Sequence, residues 1–379
     1  MKNFVRNFVL LGCVGGSALA APFCAIGDNA ELFLTGQAGV RFDDNILLSP
    51  GGPNKESDTI LSFTPGIELD FGKDSLIKGV LTASETFSDY LTHSELNTQL
   101  TSVNFNANYA GSEKTKLGAT AFYNQFDQNT YAANGTNVRR DVYGGGLDGE
   151  YSLSPKTSFA SGFTFSRTEY EQSGNVGEKD YTVPLNVYYG ITAKVDLSAG
   201  LTISRSDLDN GLSYDDYYYN VGARGEFTPK LKGSFSVGYD DRKGSGGPAA
   251  QDNNSLGFHS GLTYVYSEKT TMTFNADKGF SNSSTGTSTQ KNMGVSLGAQ
   301  TAVSASWQFN ASLAYREIDY EGTSAGRTDD YAEATVGATY VVNSNITVNG
   351  AYTLRNLSSN VGGVEFGNNV IALSVSARY

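Results

Sequence analysis

Two histidines, His93 and His259, are the chain's whole supply of near-neutral general bases. Acyl-transfer chemistry would need one of them beside a serine and an orienting carboxylate. His93 falls in a short polar break, and His259 lies on the polar face of an alternating stretch. Serines flank His259, but serine is common throughout, so His259 reads as polar lining rather than as a base. With two histidines and two cysteines, no histidine-rich or cysteine-rich metal centre is expected. Asp43-Asp44-Asn45 and Asp240-Asp241 are acidic pairs without the full calcium-loop spacing. Gly144-Gly145-Gly146 sits inside a strand pattern, where glycine eases packing or curvature rather than cradling phosphate. Arg139-Arg140, in what reads as a loop, suits a neighbouring acidic loop and is no evidence for nucleic acid. The sequence therefore predicts no enzyme, no catalytic residue and no cofactor.

The remaining candidate chemistry is electrostatic. Alternation puts Arg41, Lys78, Asp148, Glu150, Asp196, Arg224, Glu226, Lys232, Asp277, Arg316, Glu333 and Arg355 on the polar faces of their segments, with Glu68 and Asp70. If those faces line a water-filled interior, fixed charges of mixed sign select the ions and solutes that pass. Charge is also sorted along the chain. Lys73, Lys114, Lys116, Lys156, Lys194, Lys230, Lys232 and Lys269 cluster at short breaks. Asp58, Glu169, Glu171, Asp207, Asp209, Asp215, Asp216, Asp241, Glu317, Asp319, Glu321, Asp329 and Asp330 cluster at or beside longer ones. One rim should be strongly negative, either as a solvated, self-repelling edge or bridged by divalent cations to anionic lipopolysaccharide.

These residues need long two-faced strands to position them. Trp307, Phe309, Ala311, Leu313 and Tyr315 alternate with Gln308, Asn310, Ser312 and Arg316. Ile371, Leu373, Val375, Ala377 and Tyr379 alternate with Ala372, Ser374, Ser376 and Arg378 at the end of the sequence. A soluble domain rarely carries an apolar strand at a chain end, whereas a strand that closes a membrane barrel suits that pattern. The stretch from Leu76 to Phe87 is less decided, because both its faces are mixed. Aromatic residues concentrate near strand ends, as two interfacial girdles would require. Tight breaks recur at Gly72-Lys73-Asp74, Gly111-Ser112-Glu113, Ser154-Pro155-Lys156, Ile191-Thr192-Ala193, Thr228-Pro229-Lys230, Ser267-Glu268-Lys269, Ala302-Val303-Ser304 and Val342-Asn343-Ser344. Their spacing of about 35–43 residues holds two long strands, and Gly/Asn/Asp/Ser-rich loops of mostly about 8–15 residues fall between them. Eight turns and nine loops predict an all-β, up-and-down transmembrane antiparallel β-barrel of about 18 strands (16–18). Its short turns are periplasmic and its longer loops extracellular, with no evident long constriction loop. Turn signals this far apart are too widely spaced for a β-sandwich.

Composition agrees. Only 39% of residues are hydrophobic and 17% charged, with 44 glycines and 23 tyrosines. Lys2 and Arg6, the apolar stretch from Phe8 and Ala18-Leu19-Ala20 predict a signal peptide over 1–20. A lipoprotein signal at Cys13 would have too short an apolar core. Removing 1–20 leaves 25 basic against 39 acidic residues, a net of −14, and Cys24 as the remaining cysteine. Residues 21–30 read as a short, mobile periplasmic leader with Cys24 a bystander, and 31–379 as one barrel domain. No apolar run of about 18 residues follows the signal, so no membrane helix is expected.

The segment Gly39-Val40-Arg41-Phe42-Asp43-Asp44-Asn45-Ile46, then Ser57-Asp58 and Phe63-Thr64-Pro65-Gly66-Ile67-Glu68-Leu69, resembles the opening of the outer-membrane family described as "Putative beta-barrel porin 2". The resemblance covers about the first 70 residues by motif and the rest by strand rhythm. It implies a Gram-negative outer-membrane barrel, in some members associated with exopolysaccharide gene clusters, and brings no catalytic residues. The strand Ile371–Tyr379 also resembles the signal read by the outer-membrane assembly machinery. The expected partners are that machinery, outer-membrane lipid and lipopolysaccharide, and small hydrophilic solutes or a polysaccharide. The expected function is passive diffusion of small hydrophilic solutes past an acidic extracellular rim. The alternatives are exopolysaccharide export and a structural or surface-binding barrel.

Overall fold

The computed structural model describes residues 22–51, 55–109, 111–129, 137–247, 249–322, 324 and 326–379. The expected signal peptide lies outside them. The first elements are β1 (Cys24–Ile26), β2 (Ala30–Asp43), β3 (Asp58–Phe71), β4 (Ile77–Tyr90), β5 (Thr98–Tyr109), β6 (Thr115–Asn129) and β7 (Asn137–Ser154). Then follow β8 (Thr157–Tyr170), β9 (Glu178–Gly190), β10 (Val195–Leu208), β11 (Ser213–Thr228), β12 (Leu231–Ser245) and β13 (Asn253–Ser267). The last are β14 (Thr270–Asn282), β15 (Ser288–Ala302), β16 (Trp307–Gly322), β17 (Thr328–Val341), β18 (Ile346–Ser359) and β19 (Phe366–Arg378). Strands β2 to β19 pair antiparallel, each with its sequence neighbours, and form a closed 18-strand barrel. β19 closes it on β2, from Val370 opposite Asp43 to Arg378 opposite Thr35. Tyr379 adds one more reciprocal pair of backbone bonds with Leu34, at 2.7 and 2.9 Å. Closure leaves no open edge, the condition for a sheet to cross a bilayer.

Each rung pairs residues on the same face, so a few exposed apolar residues per strand assign the whole wall. Leu313, Val336, Leu354, Ile371, Leu373 and Val375 are 44–58% exposed and all lie on the outer face. Such a continuous apolar belt marks a surface that meets lipid. Trp307 packs on Tyr340 with ring centroids 4.9 Å apart at the turn end of the belt, where an aromatic girdle belongs. The undecided stretch resolves through its partners. Ile77, Leu81 and Phe87 face out with Glu85, whose carboxylate accepts a 2.7 Å bond from the Thr101 hydroxyl, while Lys78, Thr82 and Ser84 face in.

Six of the short turns share one device. Ser154, Thr228 and Ser267 each bulge out of register, and their hydroxyls accept bonds from the backbone N–H groups two and three residues on. Thr192 and Ser304 act alike with hydroxyls, and Asn343 with its amide oxygen. Ser, Thr and Asn recur at these breaks because a side-chain acceptor satisfies the N–H groups that a tight reversal strips from the ladder.

The loops differ from expectation. β10 and β11 are joined by residues 209–212, and β14 and β15 by 283–287. Much of the predicted loop is strand, because a ladder of backbone bonds continues where side-chain alternation has been lost. Arg139 and Arg140 accordingly lie in β7. Arg139 pairs with Glu171 at 3.0 Å, and Arg140 stacks on Phe126. The leader also differs from a mobile segment: β1 turns at Gly27 and pairs Cys24–Ile26 with Ala30–Leu32, leaving Cys24 exposed.

Candidate functional site: the lumen and its mouth

The register places all twelve predicted lumen charges on the inner face. Arg41 sits between lipid-facing Val40 and Phe42, and Lys78 pairs with inward Asn108. Asp148, Glu150, Asp196, Arg224, Glu226 and Lys232 fall on the inner rows of β7, β10, β11 and β12. Asp277, Arg316, Glu333 and Arg355 do so on β14, β16, β17 and β18. Many are brought together in pairs. Arg224 bonds Glu150 through both terminal nitrogens and Asp196 through Nε, at 3.0 Å, while its guanidinium lies 3.4 Å over Tyr188. Glu226 pairs with Lys194, and Glu333 receives Arg355 at 3.3 Å and the Tyr331 hydroxyl at 2.6 Å. Near the turn end, Arg378 donates to Glu68 and Asp70 and stacks 3.3 Å over Phe33. Arg378, which alternation puts on the polar face of the last strand, joins the lumen charges although it was not among the twelve.

Asp277 faces the Arg316 guanidinium across Gly294 without a hydrogen bond to it. Both its carboxylate oxygens are buried with no hydrogen-bond partner, and it sits opposite His259, whose ring meets Tyr218 edge-on at 5.0 Å. Among the described residues no group of three or more His, Cys, Asp or Glu is arranged to hold a metal.

The loop-end mouth departs from the sequence reading, which saw no constriction loop. Residues 44–51 fold inward. Leu48, at φ +47°, is buried against Leu357 and Phe366 of the inner wall, with Tyr331 beside them. A non-glycine residue held at positive φ is costly and persists only where its surroundings fix it. They do so through the Asp43-Asp44-Asn45 motif. Asn45 is fully buried; its amide donates to the carbonyls of Ser49 and Gly367 at 2.9 and 3.0 Å, and its oxygen accepts from Ser49 N–H at 2.9 Å. Asn368 of β19 donates to Asp43 at 2.6 Å, and Asn369 donates twice to Asp44, at 2.7 and 2.8 Å. The motif therefore ties the inward loop to the closing strand 325 residues away in sequence.

His93 fastens the other end of that loop. Nδ1 lies 3.0 Å from Asp58 and Nε2 lies 2.8 Å from Glu56. Both ring nitrogens face carboxylates, so both must carry a proton to satisfy the pair. The hydrogen bond to Asp58, with the charges of Glu56, Asp58 and Glu95, holds the imidazole above its ordinary range. The histidine is a structural clasp, a role that residue type alone did not reveal.

On the outer side of the mouth, carboxylates outnumber the cations that hold them. Arg167 serves Asp209 and Glu169, Arg205 serves Asp207 and Asp215, and Lys243 serves Asp241 and Asp252.

A closed 18-strand barrel with an apolar outer belt, a charged inner wall and a mouth narrowed by its own loops defines a porin-type β-barrel of the Gram-negative outer membrane. Residues 205–379 match the family described as "Putative beta-barrel porin 2", the one that the N-terminal motifs resemble. The match lies in the C-terminal strands rather than in the motifs that suggested it. Among solved structures, the outer membrane protein opdK from Pseudomonas aeruginosa is similar at 9% identity and a TM-score of 0.50, covering 92% of this chain and 99% of that one. OccAB4 from Acinetobacter baumannii is similar at 10% identity and a TM-score of 0.49, covering 92% and 98%. These likenesses concern the fold. No curated protein matches the chain.

Proposed function

We propose that the barrel is a passive channel for small hydrophilic solutes, selected by width and fixed charge, with an acidic extracellular rim. The observation that carries this reading is the inner wall, where charged residues of both signs alternate with Ser, Thr, Asn and Gln on strand after strand. Such a lining has no use for lipid and little capacity to fill a barrel of this size, so it holds water. The rim reading rests on the outer clusters, where Arg167, Lys179, Arg205 and Lys243 face six carboxylates and a net negative charge remains. A rim of that sign enriches cations at the entrance.

Planar-bilayer recording tests both parts. Refolded protein is expected to give discrete conductance steps with cation preference. Arg224→Gln removes the guanidinium bonded to Glu150 and Asp196 and leaves Lys116 opposite Glu150, so the reversal potential in a salt gradient should move further towards the cation value. Absence of steps would refute the channel, and an unchanged reversal potential would refute selection by lumen charge.

A further inference from the structure

The outer wall gains its first charges at a fixed height above the turns. Arg167, Arg205, Asp241 and Glu317 share the faces of the exposed Phe163, Leu197, Tyr239 and Leu313. Each of the four is the eleventh residue of its strand counted from the turn end. Tyr123, Tyr239 and Tyr315, two residues nearer the turns, are ninth, and outward tyrosines at one level mark the edge of a lipid belt. Two ions break this order. Glu85 of β4 and Lys278 of β14 are also ninth residues, counted from Ile77 and Thr270. Glu85 lies on the outward face with Phe87, and Lys278 with Met272, both 40% exposed. Lys278 is flanked on its rung by Phe258 and Met293. The Thr101 hydroxyl donates to Glu85 at 2.7 Å. Among the described residues, neither Glu85 nor Lys278 forms an ion pair. An ionisable group turned towards lipid calls for a partner.

Glu85 also stands in a recess. The β3–β4 ladder pairs Phe63 with Phe87, skips two rungs and resumes with Gly66 opposite Ser84. Pro65 falls on a skipped rung, opposite Glu85, and has no N–H to offer. A dimple of about 390 Å3 opens there in the outer wall. Ile67, Ala83 and Val103, which share one rung, give it an apolar floor. Pro65, Glu85 and Thr101, on the rung above, give it a polar end. An occupant that fits has a slender apolar stem and a positive head, which is the build of a lysine side chain. Copies of one barrel lie at one depth in a bilayer. A neighbour's β14 therefore brings its lysine to the level of Glu85 without a shift along the membrane normal.

We propose that the Glu85 dimple is the docking site for Lys278 of a second copy, so that the barrels associate side by side in the membrane. β4 and β14 are the third and thirteenth of the eighteen barrel strands, so ten strands separate them one way round and eight the other. The two patches therefore lie on nearly opposite sides of the barrel. A head-to-tail contact of that geometry does not close into a small ring; it continues as an open row. Between two barrels the ions lose water, and their attraction is weakly screened. The row involves the outer wall alone, so it stands or falls independently of the channel.

Zero-length carbodiimide cross-linking tests it, because that chemistry joins a carboxylate to an amine only where the two touch. The protein is reconstituted in phosphatidylcholine vesicles, whose headgroup has no primary amine. The expected products are a ladder of dimers, trimers, tetramers and longer rows, with Glu85 joined to Lys278 in the digested peptides. Glu85→Gln and Lys278→Gln should each abolish the ladder while the barrel keeps its heat-modifiable mobility on gels. Mixing the two variants should restore dimers and nothing larger, since each pair then holds one intact carboxylate and one intact amine. Glu85→Lys combined with Lys278→Glu should restore the full ladder. A ladder that survives in either single variant, or one that ends at a closed trimer, overturns the row. So does a Glu85 adduct with the lipid amine in phosphatidylethanolamine vesicles without the Lys278 peptide, which makes a lipid headgroup the occupant.

Discussion

Asn45 is the single residue whose removal should open the inward loop without touching the barrel. Asn45→Ala deletes three buried hydrogen bonds, two donated to the Ser49 and Gly367 carbonyls and one accepted from Ser49 N–H. At about 1 kcal/mol net for each buried bond, the loop loses about 3 kcal/mol of local stability. Since about 1.4 kcal/mol is tenfold in an equilibrium, the open population rises about 100-fold. Lys55 lies in this loop, exposed and tied to Asp44 at 2.8 Å, and local release of the loop frees its backbone to enter a protease cleft. When reclosing outruns cleavage, nicking tracks the open population. Trypsin should therefore cut Asn45→Ala at Lys55 about 100-fold faster than wild type, while the barrel keeps its heat-modifiable mobility on gels. The same variant should conduct more, because Leu48 no longer holds the loop against the wall. A change in nicking rate below about threefold would refute the reasoning, since it would mean that these bonds contribute almost nothing to closure.

His93 gives the same loop a pH dependence. Its imidazole is held above the ordinary value, so the clasp contributes fully below about 6.5 and is lost as pH rises through the raised value. Conductance should increase with alkalinity in wild type and be flat in His93→Leu; a parallel rise in both refutes the clasp. The two faces of β16 separate stability from selectivity. Leu313→Arg, on the outer face at a position 58% exposed, should cost about 2–4 kcal/mol in refolding titrations into lipid. Ser312→Arg, one residue away on the inner face, should leave stability nearly unchanged and shift the reversal potential towards anions; equal stability losses would undo the assignment of faces.

Strand number, closing pair and the two faces of each strand were legible in the sequence for one physical reason. A strand that meets lipid on one side and water on the other must alternate residue by residue, and its turns must supply side-chain acceptors at fixed offsets. That logic is local, so Trp307–Tyr315 and Ile371–Ala377 declare their faces without tertiary information. The Asp43-Asp44-Asn45 motif was legible too, but as a pattern without a purpose. Only the tertiary structure shows that Asp43, Asp44 and Asn45 are bound by Asn368 and Asn369, because the two segments meet only when the barrel closes. The same holds above the membrane belt. There water reaches both faces, alternation disappears, and nothing in composition distinguishes a solvated loop from one that folds inward. Leu48 at the mouth and His93 between two carboxylates depend on contacts between distant strands. The sequence by itself determined a barrel and its water-facing wall; the fold in three dimensions decided how that wall is narrowed.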